Sequence, residues 1–323
     1  MSIAVFGSVN VDVTLSVKAL PRPGETIHAT RQSIGLGGKG TNQAVAAQRL
    51  TRGSVRLSAA IGADANGSFV RDLLAQHDLS LDWIETNEEV LTGTAMIHVD
   101  AHSQNAITVF GGANMAWRET GPDASVFDGA KAALFQLETP LEATLSAMRA
   151  ARAAGAVVVL DPAPVPAAPL DALLAEAEVI TPNETEAEAL LGRRVASPED
   201  AMRAAGDLRA FGPRLAIVKL GAQGLAYDHA SGASGFLPAF PVKAVDTVAA
   251  GDCFNGALAV AFAERMELVE ALRFAAAAGA LAVTRTGAAA AAPFRSDVDQ
   301  MLAPFGGLAS SGGKRAEANS NLT

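Results

Sequence analysis

The sequence is short of the features that mark secreted, membrane and nucleic-acid-binding proteins. It has one cysteine, Cys253, which excludes an internal disulfide bond. No uninterrupted apolar run reaches about eighteen residues, and the N-terminus lacks a charged-then-apolar signal pattern. A net charge of -9 and a pI near 5.1 disfavour binding to nucleic acid. We therefore expect a soluble, cytoplasmic protein without a nucleic-acid or membrane partner.

The sequence also lacks a recognisable zinc site or cysteine nucleophile. His98 and His102 are four residues apart, but they lie in a predicted strand and turn rather than on one helix face. No histidine is placed by the sequence to activate Cys253, so we expect a small packed residue at that position.

A glycine-rich segment, Gly35–Asn42, opens a predicted helix at Gln43–Leu50. It is not a P-loop, because that motif would require Gly in place of Ser33 and Ser or Thr in place of Gly40. The segment does match the dinucleotide-binding pattern G-x-G-x-x-G, through Gly35, Gly37 and Gly40. However, the first predicted strand, Ile3–Phe6, ends roughly thirty residues earlier instead of at the loop. The hypothesis that the protein is a nucleotide-dependent oxidoreductase therefore rests on this match alone.

The stretch Asp246–Asp252 runs into an apolar segment that predicts a helix. The small residues 249–251 let backbone N–H groups approach a ligand, and the positive end of a helix dipole favours an anion there. Asp252 would lie beside that negative charge. This costly placement is understandable if Asp252 removes a proton from a hydroxyl that attacks a phosphoryl group. The alternative is an ordinary turn with Asp252 as an N-terminal helix residue.

Short β-rich runs alternate with Ala- and Leu-rich helical stretches, which predicts a parallel sheet with crossover helices. The predicted strands are Ile3–Phe6, Val55–Ala60, Ala132–Leu137, Ala156–Leu160, Val179–Thr181 and Leu215–Leu220. Ligands bind beyond the carboxyl ends of such strands. The polar or glycine positions that follow four of them are Glu138, Asp161, Asn183 and Gly221. They predict a site at this edge, although each alone could be an ordinary turn residue.

A second, smaller sheet is predicted where β-branched and polar residues alternate without an intervening helix. These segments are at about 10–17, 26–34 and 94–110. We expect residues 1–305 to form a single α/β domain that includes this small sheet. The segment 306–323 is rich in Gly, Ser, Ala and Asn and is predicted to be a disordered tail.

Five motifs occur in order along the chain: Gly7–Asp12, Pro23–Thr26, Gly37–Ala44, Thr181–Glu186 and Asp246–Asp252. Through these motifs the chain resembles the ribokinase family of PfkB-type carbohydrate kinases, from Ile3 to about Arg295. The resemblance implies an α/β fold with a ribokinase-like, three-layer core on a parallel sheet. It also implies a small β-sheet lid that covers the sugar and forms a homodimer contact.

The resemblance implies ATP-dependent phosphorylation of D-ribose at O5 to D-ribose 5-phosphate, with Asp252 as the general base. The sugar-binding residues that it implies are Asn10, Asp12, Gly38, Lys39, Asn42, Glu138 and Asp252. Such carboxylate, amide and ammonium groups can accept or donate hydrogen bonds to sugar hydroxyls. Without a ligand, Asp12 would be a charge at a β-edge and Lys39 a solvated helix start.

The sequence leaves open other phosphoryl acceptors and other classes of protein function. Within the family, deoxyribose, a ketohexose or a nucleoside are alternative substrates. A non-catalytic sugar-binding protein is a further class, but it leaves Asp252 unexplained.

The nucleotide contacts that the resemblance implies are Asn183, Glu186, Lys219, Leu220, Gly221, Ala222, Gln223, Gly224 and Gly251. Asn183–Glu186 is also a plausible helix-capping sequence. In the family, Glu186 would lie near the phosphates and the water shell of Mg²⁺. Because Mg²⁺ is held mainly by the phosphates of ATP, it leaves little signature in the protein.

A site for K⁺ is implied by the resemblance as well, with the carboxylate of Asp246 and backbone oxygens near Val248, Ala282, Arg285 and Gly287. Two positions depart from the family pattern. Ala291 stands where a serine often completes the cation site, and Ala276 stands where a histidine is often found beside the adenine.

Overall fold

The structure, a computed structural model, describes residues 1–102 and 104–305. The predicted tail, 306–323, lies outside these residues. The strands of the described part are β1 (Ser2–Phe6), β2 (Asn10–Ser16), β3 (Arg31–Gly37), β4 (Ser54–Gly62), β5 (Ile84–Asn87), β6 (Gly93–Val99), β7 (Asn105–Phe110), β8 (Ala130–Phe135), β9 (Val157–Leu160), β10 (Val179–Ile180), β11 (Leu215–Lys219), β12 (Gly224–His229) and β13 (Ser234–Pro238).

The α-helices of the same part are α1 (Lys39–Leu50), α2 (Ala65–Gln76), α3 (Leu141–Ala153), α4 (Asp171–Glu176), α5 (Glu184–Leu191), α6 (Pro198–Arg209), α7 (Ala250–Ala263), α8 (Leu268–Ala282) and α9 (Arg295–Leu302). None of them is long and apolar enough to cross a lipid bilayer.

The central sheet has the strand order β13-β12-β11-β10-β9-β8-β1-β4-β5, and the strands from β11 to β5 run parallel. Near-continuous apolar runs such as Val157–Leu160 suit strands that are buried on both faces. All six predicted core strands form where the sequence placed them, to within two residues at either end. The predicted α/β fold with a parallel central sheet is confirmed.

The antiparallel strands β12 and β13 extend the sheet in a way that the sequence did not predict. They form a hairpin whose turn contains Gly232 at a φ of 90°. The strands are short and only partly buried, so they lack the apolar run that identified the parallel strands.

Side chains alternate between two buried cores, one on each face of the central sheet. Ile3 and Val5 join a core with α1, α7 and α8, whereas Ala4 and Phe6 join a core with α3, α4 and α6. This alternation produces the predicted three-layer arrangement. Helices α1 and α7 approach closely at Gly256, where a Cβ atom would lie 2.7 Å from the backbone oxygen of Gln43.

A four-stranded sheet of order β3-β2-β6-β7 lies apart from the central sheet. Only residues 7–9 separate β1 from β2, so the start of the small sheet lies at the carboxyl end of a central strand. Strand β3 begins at Arg31 rather than near 26. The reason is that β2 ends at Ser16, which pairs with Arg31 and leaves no strand partner for the residues before it.

Candidate active site

A cavity of about 640 Å³ opens at the carboxyl ends of β9 to β11 and reaches the start of α7. Its charged wall is formed by Lys39, Asp161, Glu184, Glu186, Lys219 and Asp252. Apolar residues of the loop after β13, of α8 and of the position after α8 complete it, including Phe240, Pro241, Val242, Ala276 and Val283. One site therefore combines carboxylates, two ammonium groups and an apolar surface.

The first turn of α7 places Asp252 deep in this site. The residue before the helix, Ala249, adopts a left-handed conformation with a φ of 58°, which costs about 1–3 kcal/mol for a non-glycine residue. Asp252 is only 6% exposed. Its carboxylate accepts hydrogen bonds from Asn42 Nδ2 at 3.0 Å and from Gln43 Nε2 at 3.1 Å. Both donors belong to α1, so the two helices together fix the carboxylate.

Burial raises the pKa of Asp252 above its usual range, because water no longer stabilises the charged form. The Lys39 ammonium and the amides of Asn42 and Gln43 oppose this rise, whereas the Asp161 carboxylate adds to it. A carboxylate with a raised pKa and an open side towards a cavity is suited to accept a proton near neutral pH.

Close backbone contacts bring the start of α1 against the segment after β1. A Cβ atom on Gly37 would lie 2.0 Å from the Asp12 carboxylate, and one on Gly40 would lie 2.6 Å from Ser8 N. Gly38 has a φ of 90°, which favours glycine. The glycine-rich segment therefore brings Asn10, Asp12 and Lys39 together.

Lys39 is surrounded by acidic groups. Burial lowers the pKa of its ammonium group, but the carboxylates of Asp252, Asp161 and Glu138 more than offset this, so the pKa lies above its usual value. Lys39 therefore stays charged and keeps a positive group beside the Asp252 carboxylate.

Glu138 follows β8 and reaches across to the residues of the glycine-rich segment. Its Oε2 accepts hydrogen bonds from the Ser8 hydroxyl and from the backbone N–H of Lys39, the latter at 3.0 Å. Ser8 lies within the Gly7–Asp12 motif, but the sequence analysis predicted no role for it.

Asn10 is positioned by a buried amide that sequence reasoning missed. Asn114 donates from Nδ2 to Asn10 Oδ1 at 2.8 Å and accepts from the backbone N–H of Val9 at 2.9 Å. Gly93 leaves room for this pair, because a Cβ atom there would lie 2.2 Å from Asn10 Oδ1. Asn114 is 104 residues from Asn10 in sequence, and no local pattern connects them.

Asp12 lies on β2 of the small sheet, close to two other carboxylates. Burial and the nearby charges of Glu138 and Asp252 raise its pKa to about 7. The structure thus gathers the predicted sugar residues Asn10, Asp12, Gly38, Lys39, Asn42, Glu138 and Asp252 around one crowded, acidic region.

The predicted nucleotide residues also meet at the cavity, with two exceptions. Asn183, Glu186, Lys219, Gly221, Ala222, Gly224 and Gly251 line it. Leu220 is 1% exposed and belongs to the buried core that also contains residues of α6, and Gln223 lies outside the cavity wall. The loop residues Phe240–Val242 also line the cavity, but no local sequence pattern predicted them as site residues.

Asn183 and Glu186 form a complete capping box at the start of α5. Asn183 Oδ1 accepts from the Glu186 N–H at 2.9 Å, and Glu186 Oε2 accepts from the Asn183 N–H at 2.8 Å. The capping alternative is therefore present in the structure. Burial and the Asp161 charge raise the pKa of Glu186, against the lowering effect of Lys219.

Lys219 lies between a carboxylate and the start of α7. Its Nζ donates to Asp161 Oδ1 at 3.2 Å, and a Cβ atom on Gly251 would lie 3.3 Å from this nitrogen. An ammonium group beside a helix N-terminus favours a bound anion.

Asp246 connects the loop before α7 with the loop after α8. Its carboxylate oxygens accept from the backbone N–H groups of Val248 and Gly287, each at 3.0 Å. Of the other residues implied in the K⁺ site, Ala282 accepts from the N–H of Arg285 at 3.1 Å through its carbonyl. Within residues 1–102 and 104–305, no group of three or more His, Cys, Asp or Glu side chains is arranged to hold a metal ion.

Arg49 connects α1 with the loop that contains Ala291. Its Nη1 donates to the carbonyl oxygens of Ala290 at 3.0 Å and Ala292 at 2.5 Å, and its guanidinium lies 5.0 Å from the centre of the Phe294 ring. The end of α1 is thereby held to the segment that follows Gly287.

A model of the pfkB family of carbohydrate kinases matches residues 1–295. The chain belongs to this family. Ribokinase from Haemophilus influenzae is 39% identical to this carbohydrate kinase over 306 residues, which cover 93% of the chain and 98% of the relative. Deoxyribokinase from Salmonella typhi is 33% identical over 296 residues, which cover 91% and 96%.

A solved structure of Arabidopsis thaliana ribokinase complexed with ribose and ATP is similar to this carbohydrate kinase, with a TM-score of 0.85 and 32% identity. The similarity covers 93% of the chain and 98% of that structure. The predicted resemblance to ribokinases is confirmed, and so is the prediction of an enzyme of the ribokinase type.

The G-x-G-x-x-G match has a different explanation in this carbohydrate kinase. Gly35 and Gly37 belong to β3 of the small sheet, and not to a loop that connects a central strand with its crossover helix. A dinucleotide-binding site requires that connection. Of the three glycines, Gly40 makes the close contact of α1 with Gly7 and Ser8, whereas a Cβ atom on Gly35 would meet no atom within 4 Å.

The raised pKa of Asp12 predicts how stability depends on pH. The folded protein keeps a proton on Asp12 that the unfolded chain loses near the ordinary pKa of 3.8, so the Asp12 carboxylate reduces stability as the pH rises from about 4 to about 7. We expect Asp12→Asn to raise the melting temperature at about pH 8 and to change it little at about pH 4.5. Asp72→Asn, at an exposed carboxylate on α2, is the control in thermal denaturation. An equal gain in melting temperature at both pH values would contradict the raised pKa of Asp12.

Proposed function

We propose that this kinase transfers the γ-phosphoryl group of ATP to O5 of D-ribose and releases D-ribose 5-phosphate and ADP. The observation that carries the proposal is the buried Asp252 carboxylate, which borders both the cavity and the cluster of polar groups around Asn10 and Lys39. The similarity to ribokinases supports the choice of ribose and ATP.

In the proposed reaction, Asp252 removes the proton from the O5 hydroxyl as the new O5–phosphorus bond forms. The bond from phosphorus to the bridging oxygen of ADP breaks, and ADP leaves with that electron pair. Lys39, Lys219 and the first N–H groups of α7 stabilise the negative charge that is transferred. The protonated Asp252 then returns its proton to solvent.

Asn10, Asp12, Gly38, Asn42 and Glu138 would bind the hydroxyls of the sugar. Asn42 supports this proposal because its Oδ1 is buried and has no hydrogen-bond partner within the described residues. Such an acceptor is costly when empty, by about 1–3 kcal/mol, and a sugar hydroxyl can satisfy it.

ATP would occupy the 640 Å³ cavity. The apolar residues of the loop 239–242 and of α8, which include Ala276, suit a planar adenine ring. Gly221, Ala222, Gly224 and Asn183 border the same space, and Lys219 and Gly251 would meet the phosphates. Leu220 and Gln223 would adjoin this nucleotide site without lining the cavity.

Mg²⁺ would reach the site with ATP. The described residues offer no ready three-ligand cluster, but Glu186 and Asp161 place carboxylates at the cavity wall, where they could accept from the waters of a phosphate-bound ion. The ion would neutralise charge on the transferred phosphoryl group.

The alternative acceptors are other sugars or nucleosides, and 2-deoxyribose has the strongest support among them. The similarity to the deoxyribokinase of Salmonella typhi is almost as extensive as the similarity to ribokinases. A ketohexose and a nucleoside remain candidates on the family resemblance alone.

A homodimer through the small sheet is also proposed. Its outer strands β3 and β7 have free edges within the sheet, and Ile34, Ile107, Val109 and Phe110 are each 53% exposed. Exposed apolar side chains on open strand edges favour association. Light scattering that finds only monomers at micromolar concentration would contradict this proposal.

The residues around Asp246 fit a K⁺ site in their chemistry. Both hydrogen-bond partners of the Asp246 carboxylate are neutral backbone donors, so its charge is available to a cation. Carbonyl oxygens near Val248, Ala282, Arg285 and Gly287 would complete the ligand set, as hard oxygen ligands suit K⁺. The ion would supply positive charge beside the loop that leads into α7.

We predict that D-ribose has the highest kcat/KM in a panel with 2-deoxyribose, fructose and adenosine. The margin over 2-deoxyribose should be about tenfold or more, since an acceptor that lacks a hydroxyl leaves polar groups of the site unpaired. A coupled assay of ADP release measures the rates, and ³¹P NMR identifies the phosphorylated oxygen. A higher value for 2-deoxyribose would establish the alternative acceptor, and the absence of ADP release with every acceptor would reject the kinase reaction.

Asp252→Asn should lower kcat by about 10²- to 10⁴-fold, because it keeps the shape of the side chain but removes its basicity. Ribose affinity, measured by calorimetry, should change much less. Asp171→Asn on the surface of α4 is the control and should retain normal turnover. Near-normal turnover of Asp252→Asn would leave Asp252 as an ordinary helix-start residue.

We expect K⁺ to activate the kinase, and Ala291→Ser to lower the K⁺ concentration needed for half-activation. Ala291 lacks the hydroxyl that would add one neutral oxygen ligand, and water can replace that ligand only in part. Turnover and melting temperature are titrated with KCl against a background of tetramethylammonium chloride. Equal activity with and without K⁺ would contradict the site, whereas an unchanged midpoint in Ala291→Ser would contradict only the role of Ala291.

A further inference from the structure

Gln43 lies between two carboxylates of the candidate active site. Its Nε2 donates to Asp161 Oδ2 at 3.0 Å and to Asp252 Oδ1 at 3.1 Å. We propose that Gln43 is a positioning residue, which holds the Asp252 carboxylate apart from Asp161 and ready to accept the substrate proton. This inference rests on the proposed function, in which Asp252 is the base.

The orientation of the Gln43 amide follows from its neighbours. Ionised carboxylates only accept hydrogen bonds, so the NH₂ end must face Asp161 and Asp252. The oxygen end faces Gln136, whose Nε2 donates to Gln43 Oε1 at 2.7 Å. Gln43 can therefore donate one N–H to each carboxylate, and Gln136 prevents the amide from turning over.

The backbone preserves room for this pair of amides. Gln43 and Gln136 are fully buried, at 0% exposure. A Cβ atom on Gly7 would lie 2.0 Å from Gln136 Oε1, so any larger residue at that position would displace Gln136. Gln43 does not line the cavity, and its effect on a substrate must act through the carboxylates that it contacts.

Without the Gln43 amide, two carboxylates would face each other in a buried site. Adjacent carboxylates that cannot both remain ionised share a proton, and one pKa rises strongly. Asp252 would then hold a proton when it should accept one. Lys219 occupies the other oxygen of Asp161, so Gln43 completes a chain that runs from Lys219 through Asp161 to Asp252.

Several charged groups act on Asp252 from the surrounding elements. Lys39 on α1 stabilises the anion, whereas Asp161 after β9 destabilises it. Asp252 in turn helps to raise the pKa of Asp12 on β2. Cys253 follows Asp252 on α7, and burial raises the pKa of its thiol to about 12, so it stays uncharged. The Gln43 amide contributes in the same direction as Lys39, by favouring the ionised carboxylate.

The test compares Gln43→Met with Gln48→Met, a matched change on the same helix away from the site. For Gln43→Met we expect kcat at about pH 7 to fall by about 10- to 100-fold, and the acidic limb of the kcat profile to move up by about one pH unit or more. Activity should recover at higher pH, while the KM for ribose changes less than about threefold. Gln43→Glu, which keeps the size of the side chain but cannot donate when ionised, should shift the limb in the same direction.

A loss of activity that is equal at every pH, with the acidic limb of both Gln43 variants unmoved, would overturn the inference and leave Gln43 a packing residue. A ¹³C NMR titration of labelled aspartates in the sugar-free protein gives a separate readout, with Asp252→Asn identifying the resonance. The Asp252 pKa should rise in Gln43→Met and not in Gln48→Met. If wild-type protein shows no ribose-dependent ADP release but this pKa shift occurs, the proposed substrate fails while the positioning contact stands.

Discussion

The desolvated carboxylate of Asp252 is the feature on which the rest of the site depends. Removing an ionised carboxylate from water costs several kcal/mol, and the protein must offset that cost with donors and positive charge at fixed positions. Asn42, Gln43 and Lys39 supply them, and all three lie in the first turns of α1. The tight contact of α1 and α7 at Gly256 is therefore a condition for the position of the Asp252 carboxylate as well as for packing.

Close backbone approach also explains how groups from the small sheet and from α7 come together at one site. Gly37, Gly38 and Gly40 let α1 begin directly beside the connection from β1 to β2. Asp12 of the small sheet and Asp252 of α7 then interact electrostatically, as the raised pKa of Asp12 indicates. The cost of crowding these carboxylates is the kind of local instability that binding sites retain, because a ligand with hydroxyl donors relieves it.

The sequence predicted those parts of the molecule whose cause is local. Strand β9 is a continuous apolar run, Asp252 lies beside small residues at a helix start, and the geometry of parallel strands brings Asp161 and Asn183 to one edge. The rest depends on contacts between distant segments. Asn114 reaches Asn10 across 104 residues and Gln136 reaches Gln43 across 93, and a lone amide has no motif. The backbone carbonyl oxygens near Ala282, which we propose as K⁺ ligands, likewise leave no mark in the side-chain sequence.

Arg49 joins two regions that would otherwise be independent. It lies six residues after Gln43 on α1, and it donates hydrogen bonds to the carbonyl oxygens of Ala290 and Ala292 in the loop beyond Gly287. If a cation orders that loop, part of the ordering free energy is transmitted to α1. Thermodynamic reciprocity then requires that a bound sugar increase the affinity for the cation by the same factor as a bound cation increases the affinity for the sugar. The Arg49 guanidinium would thus couple the binding of the two ligands.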